Sequence, residues 1–269
     1  MATLGLPDSA GVQPQECSST ISVPYNDIEV LQRALEINRA EVAAVIIEPI
    51  AGNMGTVMPA TGFLQKLRKL TREEGALLIF DEVITGFRLS YGGAQAYLNI
   101  KPDLTCLGKI IGGGLPVGAY GGRQEIMKWI APEGPVYQAG TLSGNPLAVS
   151  AGIAALTALK GTANYKKLEG LTAELVVGLK KAAEQENVPV QINSIGSMFT
   201  VFFTKTPVKD FQTAKTSDTG RFSKFFHALL QQGIYFPPSQ FETCFVSLAH
   251  TKSDLKATIL AAKEAFKKV

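Results

Sequence analysis

The chain has 269 residues, of which 46% are hydrophobic and 18% are charged. This balance is typical of a globular protein and excludes an intrinsically disordered one. The net charge is only +3, and the lysines and arginines are scattered along the chain. Nucleic acid is not an expected partner, because the sequence shows no basic groove with interleaved aromatic residues.

Cysteine and histidine usage excludes two classes of site. The three cysteines are far apart without a C-x-x-C pair, and only two histidines are present. We therefore expect neither a disulfide framework nor a metal site, and a reducing compartment fits best. No secretory leader is visible at the start of the sequence. The apolar stretches near 107–122 and 146–159 are too short or too broken to span a bilayer.

The first part of the chain alternates between helical and strand patterns. Residues 1–24 are predicted to be a loop, because glycine, proline and serine are frequent there. The predicted helices are 27–39 and 61–74, and the predicted strands are 42–48, 76–83 and 103–108. The continuous apolar runs of these strands suit burial on both faces, so the alternation predicts an α/β fold with a mostly parallel sheet.

A second, smaller domain is predicted after residue 160. Before it come a short strand, a helix at 124–130, and a polar loop leading into an apolar helix at 146–160. The later helices are predicted at 163–185, 219–232 and 252–267, and the later strands at 189–193, 197–204, 233–236 and 244–248. The sequence therefore predicts two domains, 1–160 and a small α+β domain at 161–269.

Three polar residues lie at the C-terminal ends of predicted strands. These are Asn53, Asp81 and Lys109, and ligands of open α/β sheets bind at that end of the strands. An amine among apolar groups can attack a carbonyl, and a carboxylate can pair with the ring nitrogen of pyridoxal phosphate. A buried salt bridge or a lysine reaching the surface is the alternative for Lys109 taken alone. The loop at 138–145 either binds a phosphate at the start of the next helix or only caps that helix.

The stretches around these residues resemble the class-III aminotransferase group of pyridoxal-phosphate enzymes, fold type I. The matching stretches are 78–88, 101–103 and 107–119. Within that group, the stretches 86–95, 138–146 and 238–242 are similar to the glutamate-1-semialdehyde aminomutase branch. The resemblance covers essentially the whole chain, and it implies part of the fold type I large domain followed by the small C-terminal domain.

The resemblance implies a role for each of five residues. Lys109 would be the Schiff-base lysine and, when released, the proton shuttle between cofactor and substrate. Asp81 would keep the pyridine nitrogen protonated, and Asn53 would hydrogen-bond the ring hydroxyl oxygen. Thr141 would reach the cofactor phosphate of the other subunit of a homodimer. Glu242 would lie near the substrate and the cofactor imine, where it would influence whether the aldehyde or the amine form is favoured.

The implied reaction moves an amino group between neighbouring carbons of glutamate-1-semialdehyde and gives 5-aminolevulinate for tetrapyrrole synthesis. It starts from the pyridoxamine phosphate form of the cofactor. Ordinary class-III aminotransferases tend to carry an arginine for a substrate α-carboxylate, whereas the stretch 236–242 offers Glu242 and no arginine. A substrate without a free α-carboxylate, such as the semialdehyde, fits that difference.

The resemblance also implies that the chain corresponds to the C-terminal part of the family's sequence. The family's earlier portion supplies the first strands, a phosphate loop, a residue that stacks on the ring and contacts to the substrate carboxylate. We therefore expect the isolated chain to bind cofactor weakly, to be inactive alone and to expose apolar surface. Two other functions stay open: a class-III ω-aminotransferase, and a non-catalytic interaction module. The expected compartment is the cytoplasm, or the plastid stroma for a photosynthetic eukaryote.

Overall fold

The computed structural model describes residues 10–269. Its helices are α1 (Pro14–Cys17), α2 (Ile28–Ile37), α3 (Phe63–Glu73), α4 (Gly93–Tyr97), α5 (Gln124–Met127), α6 (Pro146–Leu159), α7 (Thr162–Gln185), α8 (Phe211–Lys215), α9 (Thr219–Leu230) and α10 (Lys252–Phe266). Its strands are β1 (Ala44–Ile47), β2 (Leu77–Asp81), β3 (Leu104–Leu107), β4 (Ala119–Gly122), β5 (Gln191–Ile195), β6 (Met198–Phe202) and β7 (Cys244–Phe245). A 3₁₀ helix spans Lys109–Gly112. The loop predicted for 1–24 contains α1, and residues 1–9 of that prediction lie outside the described residues.

The first sheet has the order β1-β2-β3-β4. β1, β2 and β3 run parallel, and β4 runs antiparallel to β3. Parallel neighbours need a crossover connection, and α3 supplies it between β1 and β2. The prediction of a mostly parallel α/β sheet is confirmed, and the carboxyl ends of three strands meet at one edge.

Helices α2 and α3 cover one face of this sheet. Asp27 caps α2 by accepting a hydrogen bond from the Val30 backbone N–H at 3.0 Å. The apolar residues of α3 recur at helical spacing and therefore lie on one side of the helix. The buried core at this face consists of Leu31, Leu35, Phe63, Leu64, Leu67, Leu78, Phe80 and Ile100.

On the opposite face of the sheet, side chains of β1 and β4 are exposed. Successive strand residues point to opposite faces, so Ile46 points away from the core that contains Val45 and Ile47. Ile46 is 62% exposed, and Tyr120 on β4 is 44% exposed. The prediction that the strands are buried on both faces is therefore wrong for β1, because α2 and α3 both pack on the same side. Parallel sheets are rarely stable with one face in water.

We expect Ile46→Thr to reduce self-association of the purified chain. An exposed β-branched apolar residue on an open sheet face favours contact with other molecules, and threonine keeps the strand propensity while adding a hydroxyl. The measurement is light scattering over a series of protein concentrations. We expect the concentration at which scattering begins to rise to be several-fold higher for the variant. The matched control is Leu260→Thr on α10, where the side chain is 68% exposed but lies on a helix. An equal shift for both variants would argue against the sheet face as the origin.

The second sheet is antiparallel, with the order β5-β6-β7. Helices α7, α9 and α10 pack with it around a core rich in phenylalanine. The strand predicted for 233–236 is wrong: the Ile234 N–H donates to Leu229 O, and Phe236 is buried by an edge contact with Phe199. That apolar run is buried by side-chain contact, without strand pairing.

Within residues 10–269 no single helix is long and apolar enough to cross a membrane. Helices α6 and α7 would meet the length and composition requirement for a membrane span only if taken together, and they are bent by 80° at their junction.

Candidate active site

Three acidic or thiol side chains form a row at the carboxyl edge of the first sheet. Ile47 pairs with Phe80, and Asp81 pairs with Cys106. Glu48 directly follows Ile47, so it lies beside Asp81 and points to the same face. The electrostatics agree with this row, since Asp81 raises the pKa values of both Glu48 and Cys106, after burial as the larger cause.

Asp81 offers a free acceptor at this edge. One of its oxygens, Oδ1, accepts a hydrogen bond from the Val83 backbone N–H at 3.0 Å. Its other oxygen has no hydrogen-bond donor among the residues that the structure describes. The side chain is half-buried, so this oxygen is accessible to a hydrogen-bond donor.

Lys109 begins the 3₁₀ helix just beyond β3. Its backbone has φ of +48°, a left-handed conformation that is uncommon for a residue with a side chain and that often marks functional positions. The side chain is exposed, and within residues 10–269 it forms no hydrogen bond or ion pair. The amine does lie close enough to Glu48 to lower the pKa of that carboxyl. The buried salt bridge considered for Lys109 is therefore wrong, and the expected apolar enclosure is not formed by the described residues.

Asn53 is joined to Glu48, a residue that the sequence analysis did not select. Asn53 Nδ2 donates to Glu48 Oε1 at 2.8 Å, and the Gly52 N–H donates to Glu48 Oε2 at 2.8 Å. Burial raises the pKa of Glu48, and the two hydrogen bonds oppose this. The sequence did contain a signal for Glu48, because an acidic residue ends the apolar run of β1 directly before Pro49.

The loop that carries Asn53 is fixed against the second sheet. Ala51 and Val57 pair by two backbone hydrogen bonds of 3.0 Å, which close the loop at its base. The Thr56 N–H donates to Thr200 Oγ1 at 2.9 Å, and the Thr56 hydroxyl also contacts Thr243 at 3.2 Å. Three buried threonines therefore join the loop to β6 and to the residue before β7.

The residues on either side of Glu242 form hydrogen bonds with this loop. The Gly55 N–H donates to Phe241 O at 2.6 Å, and the Thr243 hydroxyl donates to Gly52 O at 3.1 Å. Gly55 has φ of +80°, and a Cβ there would collide with the Phe202 ring, so only glycine fits this approach. Glu242 itself is exposed between these two anchors. The segments that carry Asn53 and Glu242 are thus in direct contact, although these two residues are 189 positions apart in the sequence.

Glu82 fixes the segment that follows Asp81. It is 1% exposed and accepts hydrogen bonds from the Thr85 hydroxyl and from the backbone N–H groups of Ala94 and Gln95. The Gln95 side chain donates to it as well, at 3.0 Å. A buried carboxylate with several donors stabilises the local structure, so Glu82 holds residues 85–95 beside the candidate site.

Thr141 lies apart from the other four candidate residues. It is exposed in the loop that leads into α6, and in the described chain it shares no hydrogen bond with them. Asn145 caps α6 by accepting from the Ala148 N–H at 2.9 Å and donates to Leu142 O at 3.0 Å. The capping alternative for this loop is therefore realised at Asn145, and Thr141 stays free for another contact.

Comparison with known proteins gives a consistent result. The family model for class-III aminotransferases matches residues 5–266. The glutamate-1-semialdehyde 2,1-aminomutase of Sulfurihydrogenibium azorense is 55% identical over 267 residues, which are 99% of this chain and 62% of that protein. The enzyme of the same name from Pelotomaculum thermopropionicum is 57% identical over 98% of this chain and 61% of that protein. The chain thus spans about three fifths of the length of these relatives.

Solved structures share the fold. An omega-transaminase from Sphaerobacter thermophilus superposes with a TM-score of 0.91 at 34% identity, covering 97% of this chain and 60% of that one. A glutamate-1-semialdehyde-aminomutase from Pseudomonas aeruginosa PAO1, in complex with PMP, gives a TM-score of 0.84 at 26% identity over 97% of this chain and 60% of that one.

Proposed function

Because the chain belongs to the class-III aminotransferase family, we propose that it serves intramolecular amino transfer dependent on pyridoxal 5'-phosphate. The proposed reaction converts glutamate-1-semialdehyde to 5-aminolevulinate, an isomerisation in tetrapyrrole synthesis. One observation supports the proposal: Asp81, Asn53 and Lys109 lie at the carboxyl edge of the mostly parallel sheet, and among the described residues the Lys109 amine has no hydrogen bond or ion pair. The identity of 53–57% to aminomutases over nearly the whole chain supports the choice of reaction.

The donor set at this edge fits the cofactor. Asp81 has an oxygen free to accept from the ring nitrogen, and Asn53 has a second Nδ2 hydrogen free to donate to the ring hydroxyl oxygen. Lys109 has an exposed amine free to bond the aldehyde carbon. When bound, pyridoxal phosphate supplies an electron sink for the carbon that loses a proton.

The remaining roles concern protons, charge and the phosphate. Lys109 would hold and return the proton that moves between neighbouring carbons, because an amine at this position can act as a general base. Glu242, exposed beside the Asn53 loop, would face the substrate. Thr141 would donate its hydroxyl to the phosphate bound in the partner subunit of a homodimer. We place the large domain at 1–160, the small domain at 161–269 and the protein in the cytoplasm, with the plastid stroma as the alternative.

A second candidate is intermolecular transfer by an ω-aminotransferase. The superposition on the Sphaerobacter thermophilus omega-transaminase, with its TM-score of 0.91, favours it. The absence of an arginine at 236–242 and the presence of Glu242 favour the aminomutase, since a substrate without a free α-carboxylate needs no cation there.

Site mapping tests the cofactor role. The full chain is incubated with pyridoxal phosphate and reduced with borohydride, and the modified lysine is identified by mass spectrometry. We expect the label on Lys109 rather than on other exposed lysines such as Lys101 or Lys128. Labelling spread evenly over the surface lysines would contradict the proposed cofactor site.

Product analysis separates the two candidate reactions. With glutamate-1-semialdehyde and no added amino donor or acceptor, we expect any product to be 5-aminolevulinate. Because one face of the first sheet is open, we expect low turnover by this chain alone. Transfer of the amino group to 2-oxoglutarate would instead favour the ω-aminotransferase.

A further inference from the structure

We propose that Glu48 is a positioning residue for the cofactor: its carboxylate sets the orientation of the Asn53 amide and supplies a second negative charge at the Lys109 nitrogen. The inference rests on the proposed function and extends it by a residue outside the five that the family resemblance assigns. Glu48 does not itself need to touch the substrate.

The first step is the direction of the Asn53 amide. An ionised carboxylate only accepts hydrogen bonds, so the group of Asn53 that faces Glu48 at 2.8 Å must be the NH₂ group. One hydrogen of Nδ2 is used in this bond, and the other hydrogen stays available on the exposed side of the residue. The hydroxyl oxygen of the cofactor ring needs a hydrogen-bond donor, because this oxygen carries negative charge when its proton has moved to a nitrogen of the cofactor.

The second step is the rigidity of Glu48. Its other oxygen accepts from the Gly52 N–H at 2.8 Å. Gly52 is itself held in place, because its carbonyl accepts a hydrogen bond from the Thr243 hydroxyl at 3.1 Å. Both carboxylate oxygens are thus held by a loop that is itself joined to the second sheet. Because the Glu48 carboxylate is held in one position, it can hold the Asn53 amide in one orientation.

The third step is the charge around Glu48. Three ionisable groups face it: Asp81 from β2, Lys109 from the 3₁₀ helix, and Tyr25 from the segment before α2. Tyr25 donates its hydroxyl to Pro49 O at 3.1 Å and is neutral, since burial raises its pKa. Lys109 is therefore the only cation among these groups, facing two carboxylates. A carboxylate stabilises a positive charge beside it, so Glu48 supplies negative charge at the nitrogen that Lys109 contributes.

The test is Glu48→Gln in the full chain, loaded with pyridoxal phosphate. Glutamine can satisfy only one of the two N–H donors as an acceptor, and it removes the charge. We expect the midpoint of the pH titration of bound-cofactor absorbance to fall by about 1 unit, and the dissociation constant for pyridoxal phosphate to rise about tenfold. Glu48→Asp keeps the charge, so its titration midpoint should stay close to that of the unsubstituted chain.

The matched control is Glu74→Gln. Glu74 is also half-buried, but it lies at the amino end of β2 and faces Arg39 at 3.5 Å. We expect its titration midpoint to equal that of the unsubstituted chain. A purely structural role of Glu48 would lower the melting temperature and weaken binding without moving the midpoint, and that result would overturn the inference.

Two further outcomes keep the inference separate from the proposed function. If the unsubstituted chain gives no adduct at Lys109, the proposed function itself fails. If the adduct forms and Glu48→Gln leaves its midpoint unchanged, only the role of Glu48 fails. Should Glu48→Gln not fold, Asn53→Ala replaces it, since Asn53 is exposed. Cofactor affinity equal to that of the unsubstituted chain would then contradict the role of the Asn53 amide.

Discussion

We expect Asp103→Asn to lower the free energy of unfolding by about 3 to 5 kcal/mol, the range found when one partner of a buried ion pair is removed. Asp103 is 3% exposed. It accepts from both terminal nitrogens of Arg68, at 2.5 and 3.0 Å, and from the Leu78 N–H at 2.8 Å. Arg123 donates to it as well, at 3.0 Å. The carboxylate therefore joins α3, β2 and the end of β4 at the amino edge of the sheet, and asparagine would leave the buried guanidinium of Arg68 without its counter-charge.

The same network predicts a dependence of stability on pH. Burial by itself would raise the pKa of Asp103, but the hydrogen bonds from Arg68, Leu78 and Arg123 outweigh it and lower the pKa to about 2. A carboxyl whose pKa is depressed on folding stabilises the protein fully above its unfolded pKa of about 3.9, and this contribution is lost as the pH falls through the folded pKa. We therefore expect the stability difference between the unsubstituted chain and Asp103→Asn to narrow between about pH 4 and about pH 2.

Urea denaturation at a series of pH values measures both effects. The control is Glu73→Gln, which removes an exposed pair with Lys69 on α3 and should cost less than about 1 kcal/mol. Arg123 is half-exposed, so Arg123→Gln should cost much less than Asp103→Asn. If Asp103→Asn and the unsubstituted chain had the same free energy of unfolding at neutral pH, this ion pair would make no net contribution to stability.

Much of the fold follows from local sequence patterns. The apolar runs that became β1, β2 and β3 are continuous, and α2, α3, α6, α7, α9 and α10 fall within or near their predicted limits. The run at 233–236 was mistaken for a strand because apolar content alone cannot separate side-chain burial from strand pairing. Helix α8 was missed although Asp210 and Thr213 form a capping box, since the helix has only five residues.

The candidate site was predictable where it depends on strand ends. Asp81 ends its strand, and Asn53 and Lys109 follow theirs in sequence, so parallel order alone brings Asp81 and Lys109 to one edge. Glu48 was missed because its importance depends on register, which places it beside Asp81. The approach of Glu242 to the Asn53 loop depends on three threonines from distant segments, and no spacing in the sequence encodes that contact.

Lys109→Ala is expected to remove the specific borohydride-trapped adduct completely and to lower any amino-transfer turnover by at least roughly 10² to 10⁴-fold, the usual contribution of a positioned acid or base. An alanine cannot bond the cofactor aldehyde and cannot move a proton. Lys101→Ala is the matched control, because Lys101 is an exposed lysine at the opposite end of β3. Its adduct and its turnover should equal those of the unsubstituted chain.

Lys109→Arg sharpens the same prediction. Arginine keeps the positive charge near Glu48 but stays protonated and is a poor nucleophile, so we expect non-covalent cofactor binding with no trapped adduct. If charge alone held the cofactor, Lys109→Arg would resemble the unsubstituted chain in every measurement. Lysine, alanine and arginine all carry a Cβ, so the left-handed backbone at this position, with φ of +48° in this chain, should cost about the same in each. Loss of the adduct in both variants would then be due to loss of the lysine amine.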